Sequence, residues 1–288
     1  PMRQLTELFP DLSITVVGII RNDKGILPNS NDRMLPGDDV YFVCDANHVS
    51  RAMAAFGHEE EEGRTVIIAG GGNIGLTLAE EIEQEHEGVR SRLIEFDDKR
   101  ARAVAQQLEQ TMVLNGDVLD LEILEEAHVV NTETFVAVSN DDEVNIIGSL
   151  LAKRAGAKRT IALINKHSYG QLITTLGIDA VVNPRVITVS SILQHVRRGR
   201  IRGIYSVRED FGEVIEAEAL ETSVLVNRSL KESKLPKGVI VGAIVRDEEV
   251  IAPRGGTVIG KNDSVILFST YESIKQVEKM FSVRVDFF

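Results

Sequence analysis

Cysteine, tryptophan and long apolar runs are what this 288-residue chain has least of, and each shortage excludes something. The single Cys44 rules out an intrachain disulfide and points to a reducing compartment. His48, His58, His86, His128, His167 and His195 show no ligand spacing for zinc, so no structural metal is expected. The longest apolar stretches, such as Val16 to Ile20, are strand-length, far short of the roughly 18 residues that a membrane span requires. Basic residues are in the minority, 32 against 44 acidic, and the net charge of -12 opposes broad nucleic-acid binding, whose sequence-independent part is phosphate attraction. The one basic cluster, Arg197-Arg198-Gly199-Arg200-Ile201-Arg202, falls where a helix should end, and cations there complement the helix dipole. No basic and apolar leader opens the chain, which points to the cytoplasm, although the chain starts at Pro1 in mid-pattern.

What is present is an α/β chain. Hydrophobic residues make up 43%, with aromatics only 5%, and the length suits two or three domains at roughly 100–200 residues each. Residues Val17 to Val43 return, altered, at Val241 to Phe268, with one residue inserted. Val17-Gly18, Arg21, Pro28 and Gly37-Asp38-Asp39-Val40 align with Val241-Gly242, Arg246, Pro253 and Asn262-Asp263-Ser264-Val265. The first copy reads as strands Ile14 to Ile20 and Asp39 to Cys44, then a short helix from Asn47 to Ala55. The carboxylates Glu59 to Glu62 repel one another and suit a linker. From Thr65 the period alternates between strand and helix, the pattern of a parallel sheet with crossover helices. Strands are predicted at Thr65 to Ala69, Arg92 to Phe96, Met112 to Leu114, Phe135 to Val138, Thr160 to Ile164 and Ala180 to Val182. Ala101, Val104, Ala105 and Leu108, and again Val144, Ile147, Gly148 and Leu151, repeat at helical spacing. Asp141 and Ser168 are candidate N-caps and Gly177 a helix stop. Val189, Ile192, Leu193 and Val196 mark a further amphipathic helix, and the short strands of the second copy follow: Ile204 to Val207, Val214 to Ala217, Val239 to Val245 and Ser264 to Phe268. A helix from Glu272 to Met280 closes it.

Between the copies lies Ala69-Gly70-Gly71-Gly72-Asn73-Ile74-Gly75, a complete Gly-x-Gly-x-x-Gly fingerprint. With 23 glycines in 288 residues, three at fixed positions arise by chance roughly 0.15 times per chain, so the motif alone is weak. Its context is stronger: it follows an apolar strand and opens a helix bearing Ile74, Leu78 and Ile82. Gly70 permits the turn, Gly72 admits backbone to a pyrophosphate, Gly75 allows close packing, and the helix N-terminus offers free N–H groups to phosphate. Glu95 lies 20 residues beyond Gly75, the interval at which a carboxylate meets a ribose 2′-hydroxyl. It should repel a 2′-phosphate, which favours NAD(H), ATP or ADP over NADP(H). Lys99 and Arg100 either add positive charge near phosphates or are solvated first-turn residues. Asp117 and Ser139-Asn140 follow the third and fourth strands, at the carboxyl ends where open α/β sheets bind ligands. Asp117 is equally a turn residue, and Asp141 with Asp142 equally cap and first-turn acids.

A dehydrogenase would also need a proton donor beside the hydride site. Tyr271 and Lys275 have Tyr-x-x-x-Lys spacing, but they sit on the closing helix of the repeat, whose first copy has Ala46 and Ser50 there. No nucleophile elbow, Walker lysine or paired-carboxylate arrangement is present, so no catalytic residue is assigned.

A Glu-terminated second strand, Gly116-Asp117, Asn140-Asp141-Asp142-Glu143 with Asn145, and a small β-rich closing module resemble the RCK family of potassium-conductance regulators. The order of segments, Leu151-Ala152-Lys153-Arg154-Ala155-Gly156-Ala157-Lys158 and the closing Val285-Asp286-Phe287-Phe288 look like the second half of a tandem cytosolic subunit from a bacterial potassium-uptake system. That resemblance implies the end of a first RCK-C subdomain (1–57), a linker (58–64), an RCK-N Rossmann domain (65–185), a crossover helix used in dimerisation (186–202) and a second RCK-C subdomain (203–288). A preceding nucleotide-binding unit would be missing. It further implies phosphates held by Gly70, Gly72, Asn73, Ile74 and Gly75, ribose by Glu95, the adenine side by Asp117 with Val118, and the far end of the ligand by Ser139 with Asn140. The implied partners are a Trk-type integral membrane potassium transporter and further copies of the chain, as a homodimer or higher homo-oligomer at the inner face of the plasma membrane, with no nucleic acid. The competing expectations are an NAD-dependent oxidoreductase, or a nucleotide-responsive adaptor for another partner.

Overall fold

The computed structural model describes residues 2–9, 12–22, 24–57, 63–169, 173, 176–196, 201–208, 211–221 and 223–281. The Glu59 to Glu62 linker, Arg197 to Arg200 and Val285 to Phe288 lie outside the described residues. Two compact units result, one of residues 60–185 and one of residues 1–59 with 186–288.

The chain opens with a helix, α1 (Met2–Leu8), and a three-stranded antiparallel sheet of β1 (Thr15–Arg21), β2 (Lys24–Ile26) and β3 (Asp39–Val43) in the order β2-β1-β3. A 3-10 turn and α2 (Val49–Ala55) follow, the turn capped by the Asp45 carboxylate on the Asn47 N–H. The short strand β2 carries too few apolar residues to show in the pattern.

The second unit is a six-stranded parallel sheet: β4 (Thr65–Ala69), β5 (Arg90–Glu95), β6 (Met112–Asn115), β7 (Thr134–Ala137), β8 (Arg159–Leu163) and β9 (Ala180–Val182). Their order, β6-β5-β4-β7-β8-β9, reverses between β4 and β7, so the loops leaving those two strands face each other across the switch point. Crossover helices α3 (Asn73–Glu85), α4 (Asp98–Ala105), α5 (Leu121–Glu126) and α6 (Asp142–Arg154) connect the strands. One core gathers Ile67, Ile94, Leu124 and Phe135, and another gathers Ile68, Ala79, Leu93 and Val104. Asp141 caps α6 through the Val144 N–H, and Gly177 has a positive φ of +89°, a conformation that favours glycine. Ser168 lies inside a 3-10 turn, His167–Tyr169.

Two helical faces differ from the expected ones. On α4, Ala101 and Val104 are buried but Ala105, the last helical residue, is exposed, and Leu108 is buried beyond the helix end. On α6 the buried set is Asp142, Asn145, Ile146, Gly148, Ser149 and Ala152, while Ile147 is exposed. Of the expected α6 face, Gly148 is buried and Val144 and Leu151 pack against the core, so only Ile147 departs; the buried Asp142, Asn145 and Ser149 are polar and do not register in an apolar period.

A helix, α7 (Pro184–Val196), leads into the second copy, and its Ile187, Val189 and Ile192 are exposed. The second copy holds β10 (Ile201–Arg208), β11 (Gly212–Glu218), β12 (Val239–Arg246), β13 (Glu249–Ile251), β14 (Ser264–Thr270) and α8 (Ile274–Phe281). These strands pair antiparallel in the order β10-β11-β14-β12-β13.

Strand pairing corrects the alignment of the repeat. Ile19 opposes Ile26 as Ile244 opposes Ile251, and Thr15 opposes Val43 as Ile240 opposes Phe268, a constant separation of 225 positions. No residue is inserted. Each copy instead has a bulge, between Val16 and Gly18 and between Val241 and Ala243, so Val17 corresponds to Gly242 and Gly18 to Ala243. Matching Val17-Gly18 to Val241-Gly242 followed residue identity across a bulge, where pairing and sequence slip by one. The copies also share an ion pair. Arg21 reaches Asp38 through Nε and Nη2, both at 2.7 Å, and donates to the Arg33 carbonyl; Arg246 does the same to Asp263, at 2.8 and 2.7 Å, and to the Val258 carbonyl.

The copies pack on one another within their unit. Val17, Ile20, Phe211 and Phe268 form a shared core, with the Phe211 and Phe268 rings 4.7 Å apart. Glycines permit the approach: a Cβ on Gly25 would stand 2.1 Å from the Phe211 ring, and one on Gly242 would stand 2.7 Å from a Val43 methyl.

Candidate nucleotide-binding site

The fingerprint folds as a turn between β4 and α3. Gly70 has φ +112° and donates its N–H to the Ile94 carbonyl at 2.8 Å, tying the turn to β5. A Cβ there would stand 2.9 Å from the Ser139 nitrogen, so only glycine lets the β4 and β7 loops come this close. Gly75 packs more tightly still: its Cβ would fall 1.9 Å from the Gly70 carbonyl oxygen. Helix against turn is therefore the contact that requires glycine, more than helix against sheet. Gly72, the N-cap of α3, has no atom within 4 Å of the place a Cβ would take. The space in front of the helix N-terminus is open, and Asn73 and Ile74 stand exposed at its rim. An open, glycine-lined helix start suits a phosphate group, so the residues fit a nucleotide.

Glu95 ends β5 and braces this turn. Its Oε2 accepts the Gly71 N–H at 2.6 Å and its Oε1 the Asp97 N–H at 2.8 Å. Arg100 completes the brace, donating Nε–H to the Gly71 carbonyl at 2.6 Å. Both peptide groups of Gly71 are thus held by charged side chains. The side chain of Arg100 is fixed at the glycine loop, a placement that sequence spacing left open between a phosphate-side cation and a solvated residue.

Asp117 is exposed and shapes its own turn, its Oδ1 accepting the Leu119 N–H at 2.9 Å. Val118 is buried in the core with Ile67 and Ile94 and lies against Gly148 of α6. Ser139 is half-buried and Asn140 exposed at the end of β7. Ser139 sits on Asn145, a residue of α6 that is 1% exposed, in a set of short hydrogen bonds.

Asp142, 4% exposed, accepts N–H groups from Asn165 and Lys166 and the Asn165 carboxamide, joining α6 to the loop after β8. Burial alone would raise its pKa, but those donors hold it below the ordinary value. Glu143, on the surface, accepts Lys166 Nζ–H at 2.7 Å and the Tyr169 hydroxyl at 2.6 Å, which lower its pKa to about 2. The structure therefore brings Gly70, Gly75, Glu95 and Ser139 together around one glycine turn. Asp142 and Asn145, which the sequence reading named only as a cap-region acid and as part of a family-like run, are buried hydrogen-bonding residues of α6, and the signal for that role is a polar residue on the sheet-facing side of a crossover helix.

Tyr271 and Lys275 belong to the repeat, where the Tyr271 hydroxyl lies 3.0 Å from Ser206 Oγ. No group of three or more metal-ligating side chains and no membrane-length apolar helix occurs among the described residues.

The chain matches the TrkA-N domain over residues 66–184 and the TrkA-C domain twice, over residues 3–57 and 214–282. It is 49% identical, over all 288 residues, to the Trk system potassium uptake protein TrkA of Azorhizobium caulinodans, of which it covers 63%. It is 35% identical over 279 residues to that of Haemophilus influenzae, covering 96% of this chain and 60% of the relative. The chain thus spans under two thirds of the length of the relatives it matches. Among solved structures, the GsuK RCK domain superposes with a TM-score of 0.51 at 16% identity, covering 97% of this chain and 59% of that one. The GsuK channel bound to NAD gives 0.50 at 16% identity, covering 77% and 40%. At that identity the likeness is one of fold: a Rossmann-like parallel-sheet domain with small α+β subdomains.

Proposed function

The chain belongs to the TrkA family, and from that premise we propose that it is part of a cytosolic, nucleotide-sensing subunit that gates a Trk-type integral membrane potassium transporter. The observation that carries this reading is the open, glycine-lined start of α3, braced by Glu95 and Arg100 at the sheet's switch point. Gly70, Gly72, Asn73, Ile74 and Gly75 would hold phosphates, with Glu95 on the ribose. Asp117 with Val118 would flank the adenine, and Ser139 with Asn140 would face the far end. NAD(H) is the proposed ligand, with ATP and ADP as alternatives, because a carboxylate at Glu95 opposes a 2′-phosphate. The name of one similar structure, a channel bound to NAD, supports the same choice.

No catalytic step is proposed. Bound nucleotide acts by differing affinity for two arrangements of the protein, which is the only way a ligand shifts an equilibrium. The exposed Ile187, Val189 and Ile192 of α7 support assembly as a homodimer or higher homo-oligomer, since apolar residues clustered on one exposed helix favour burial. Such an assembly would sit at the inner face of the plasma membrane, attached through the transporter.

Calorimetry with NAD(H), ATP and ADP on wild type and Glu95→Ala tests the site. Loss of a charged hydrogen-bond acceptor, worth about 1.5–3 kcal/mol, should weaken binding by roughly 10- to 150-fold. Equal affinity would remove Glu95 from the site. Failure of the full-length protein to co-purify with a Trk-type transporter, or transport indifferent to nucleotide, would overturn the regulatory reading.

A further inference from the structure

We propose that the loop face of the second β module, which carries Lys231, Lys234, Lys237 and Arg254, docks directly on anionic phospholipid headgroups at the membrane surface. The choice of lipid as the anion rests on the membrane-regulator reading above.

Backbone pairing gathers the four cations. Leu230 and Lys231 donate their N–H groups to the Thr257 and Gly255 carbonyls, both at 2.9 Å, and Ser229 bridges to Val258, so the two segments run side by side. Because β12 and β13 are antiparallel, Arg254, just past β13, lies toward the same end of the sheet as Lys237, just before β12. Lys234 stands in the turn between Lys231 and Lys237, and all four side chains are exposed.

Cations that serve the fold of this module are paired: Arg246 is held by Asp263 and Lys261 by Glu221. Lys231, Lys234, Lys237 and Arg254 make no side-chain hydrogen bond or ion pair among the described residues. The one carboxylate in their midst, Glu232, accepts the Ser229 N–H and hydroxyl and is faced by Arg228. The first copy lacks the patch. At the separation of 225 positions, the four cations correspond to Thr6, Phe9, Leu12 and Asn29, whereas Arg228, Leu230 and Glu232 keep their counterparts Arg3, Leu5 and Glu7. The repeat thus retained the surrounding residues, and only the second copy carries the unpaired charge.

The chain as a whole, at a net charge of -12, is repelled by polyanions, so the attraction has to be local. Charges more than about 10 Å away are largely screened at 0.1 M salt, which lets a compact patch act against the net charge. Cytoplasmic loops of membrane proteins are themselves enriched in Lys and Arg and would repel it. The headgroups of the cytoplasmic leaflet are anionic and attract it. Lysine stems and the neighbouring Val258, 47% exposed, suit the boundary between water and lipid.

The test is sedimentation of the full chain with vesicles of phosphatidylcholine, alone or mixed with phosphatidylglycerol, with no transporter present. Wild type should bind only the mixed vesicles, and less as salt rises. Lys231→Gln, Lys234→Gln, Lys237→Gln and Arg254→Gln combined should lower binding by roughly a hundredfold or more, at about fivefold for each cation removed. Lys24→Gln, Arg90→Gln and Lys275→Gln combined, at exposed cations elsewhere, should lower it by less than about fivefold. Wild type that ignores phosphatidylglycerol overturns the inference, as does an equal loss in the two variants, which would make net charge the cause. Release by inorganic phosphate at constant ionic strength assigns the patch to a soluble anion, and recruitment only by vesicles carrying a Trk-type transporter assigns it to a protein; either result overturns the proposal. All of these outcomes leave the regulatory reading standing, which fails separately if transport is indifferent to nucleotide. Should the fourfold variant fail to fold, Lys231→Gln alone decides, with a loss of about fivefold expected and no loss overturning the proposal.

Discussion

The two copies of the small β module share register, bulge and ion pair, yet they meet each other with different residues. Where the first copy has Gly18 and Gly25, the second has Ala243 and Val250; where the first has Val17 and Val43, the second has Gly242 and Phe268. The first copy's glycines receive Phe211, which belongs to the second, and the second copy's Gly242 receives Val43 and Val17. What is common to both holds each module together, and what differs fits one module to the other. Duplication preserved the polar framework, while side-chain volume at the interface diverged in complementary pairs, as close packing demands.

The framework should be the more sensitive of the two. Asp263→Ala removes both bonds to Arg246 and the acceptor for the Gly260 N–H, and should cost about 3 kcal/mol, read as a lowered urea midpoint for the split unit. Asp38→Ala should act in the same direction through the equivalent Arg21 and the Leu35 N–H. If only one copy responds, the shared geometry is not shared energetics.

The interface comes next. Gly25→Val installs the residue found at position 250 and drives it into the Phe211 ring, with an expected loss of about 1–3 kcal/mol. In a Phe211→Ala background the same substitution should cost much less, and a double-mutant cycle measures the difference. Additive losses would mean that the ring is not what the glycine accommodates.

The smallest effect is confined to acid. Asp38 is held at about 2 by the Arg21 guanidinium, and Asp263 is likewise lowered by Arg246. A carboxylate with a depressed folded-state pKa contributes stability that is present above its unfolded value and lost as pH falls through the folded one. Stability should therefore be level near neutrality and decline between about pH 4 and 2, where Asp263→Asn should flatten part of the decline.

Much of the fold is legible in the chain. Thr65 to Ala69 and Ala180 to Val182 are strands over the predicted residues: the first is a central parallel strand whose burial leaves a continuous apolar run, and the second is an exposed edge strand marked by β-branched residues after a turn signal. Strand β13 and the bulges are not legible: one exposed and two half-buried residues carry little pattern, and a bulge shifts pairing without changing composition. The glycine turn and Glu95 announce themselves through spacing that backbone sterics require. Arg100 does not, since the same arginine one turn into a helix reaches either solvent or the Gly71 carbonyl.

The sequence by itself determined that a nucleotide-type Rossmann unit stands between two related modules, because periodicity, glycine spacing and a duplicated arginine–aspartate pair are local or repeat in order. Only the tertiary structure decided the register of the repeat, the glycines that seat Phe211 and Val43, and the polar buried face of α6. Asn145 shows why. Hydrophobic periodicity assumes that buried means apolar, and a carboxamide bonded to Ser139, in the loop after β7, and to the Leu163 carbonyl of β8 satisfies burial by hydrogen bonding, which an apolar period does not register.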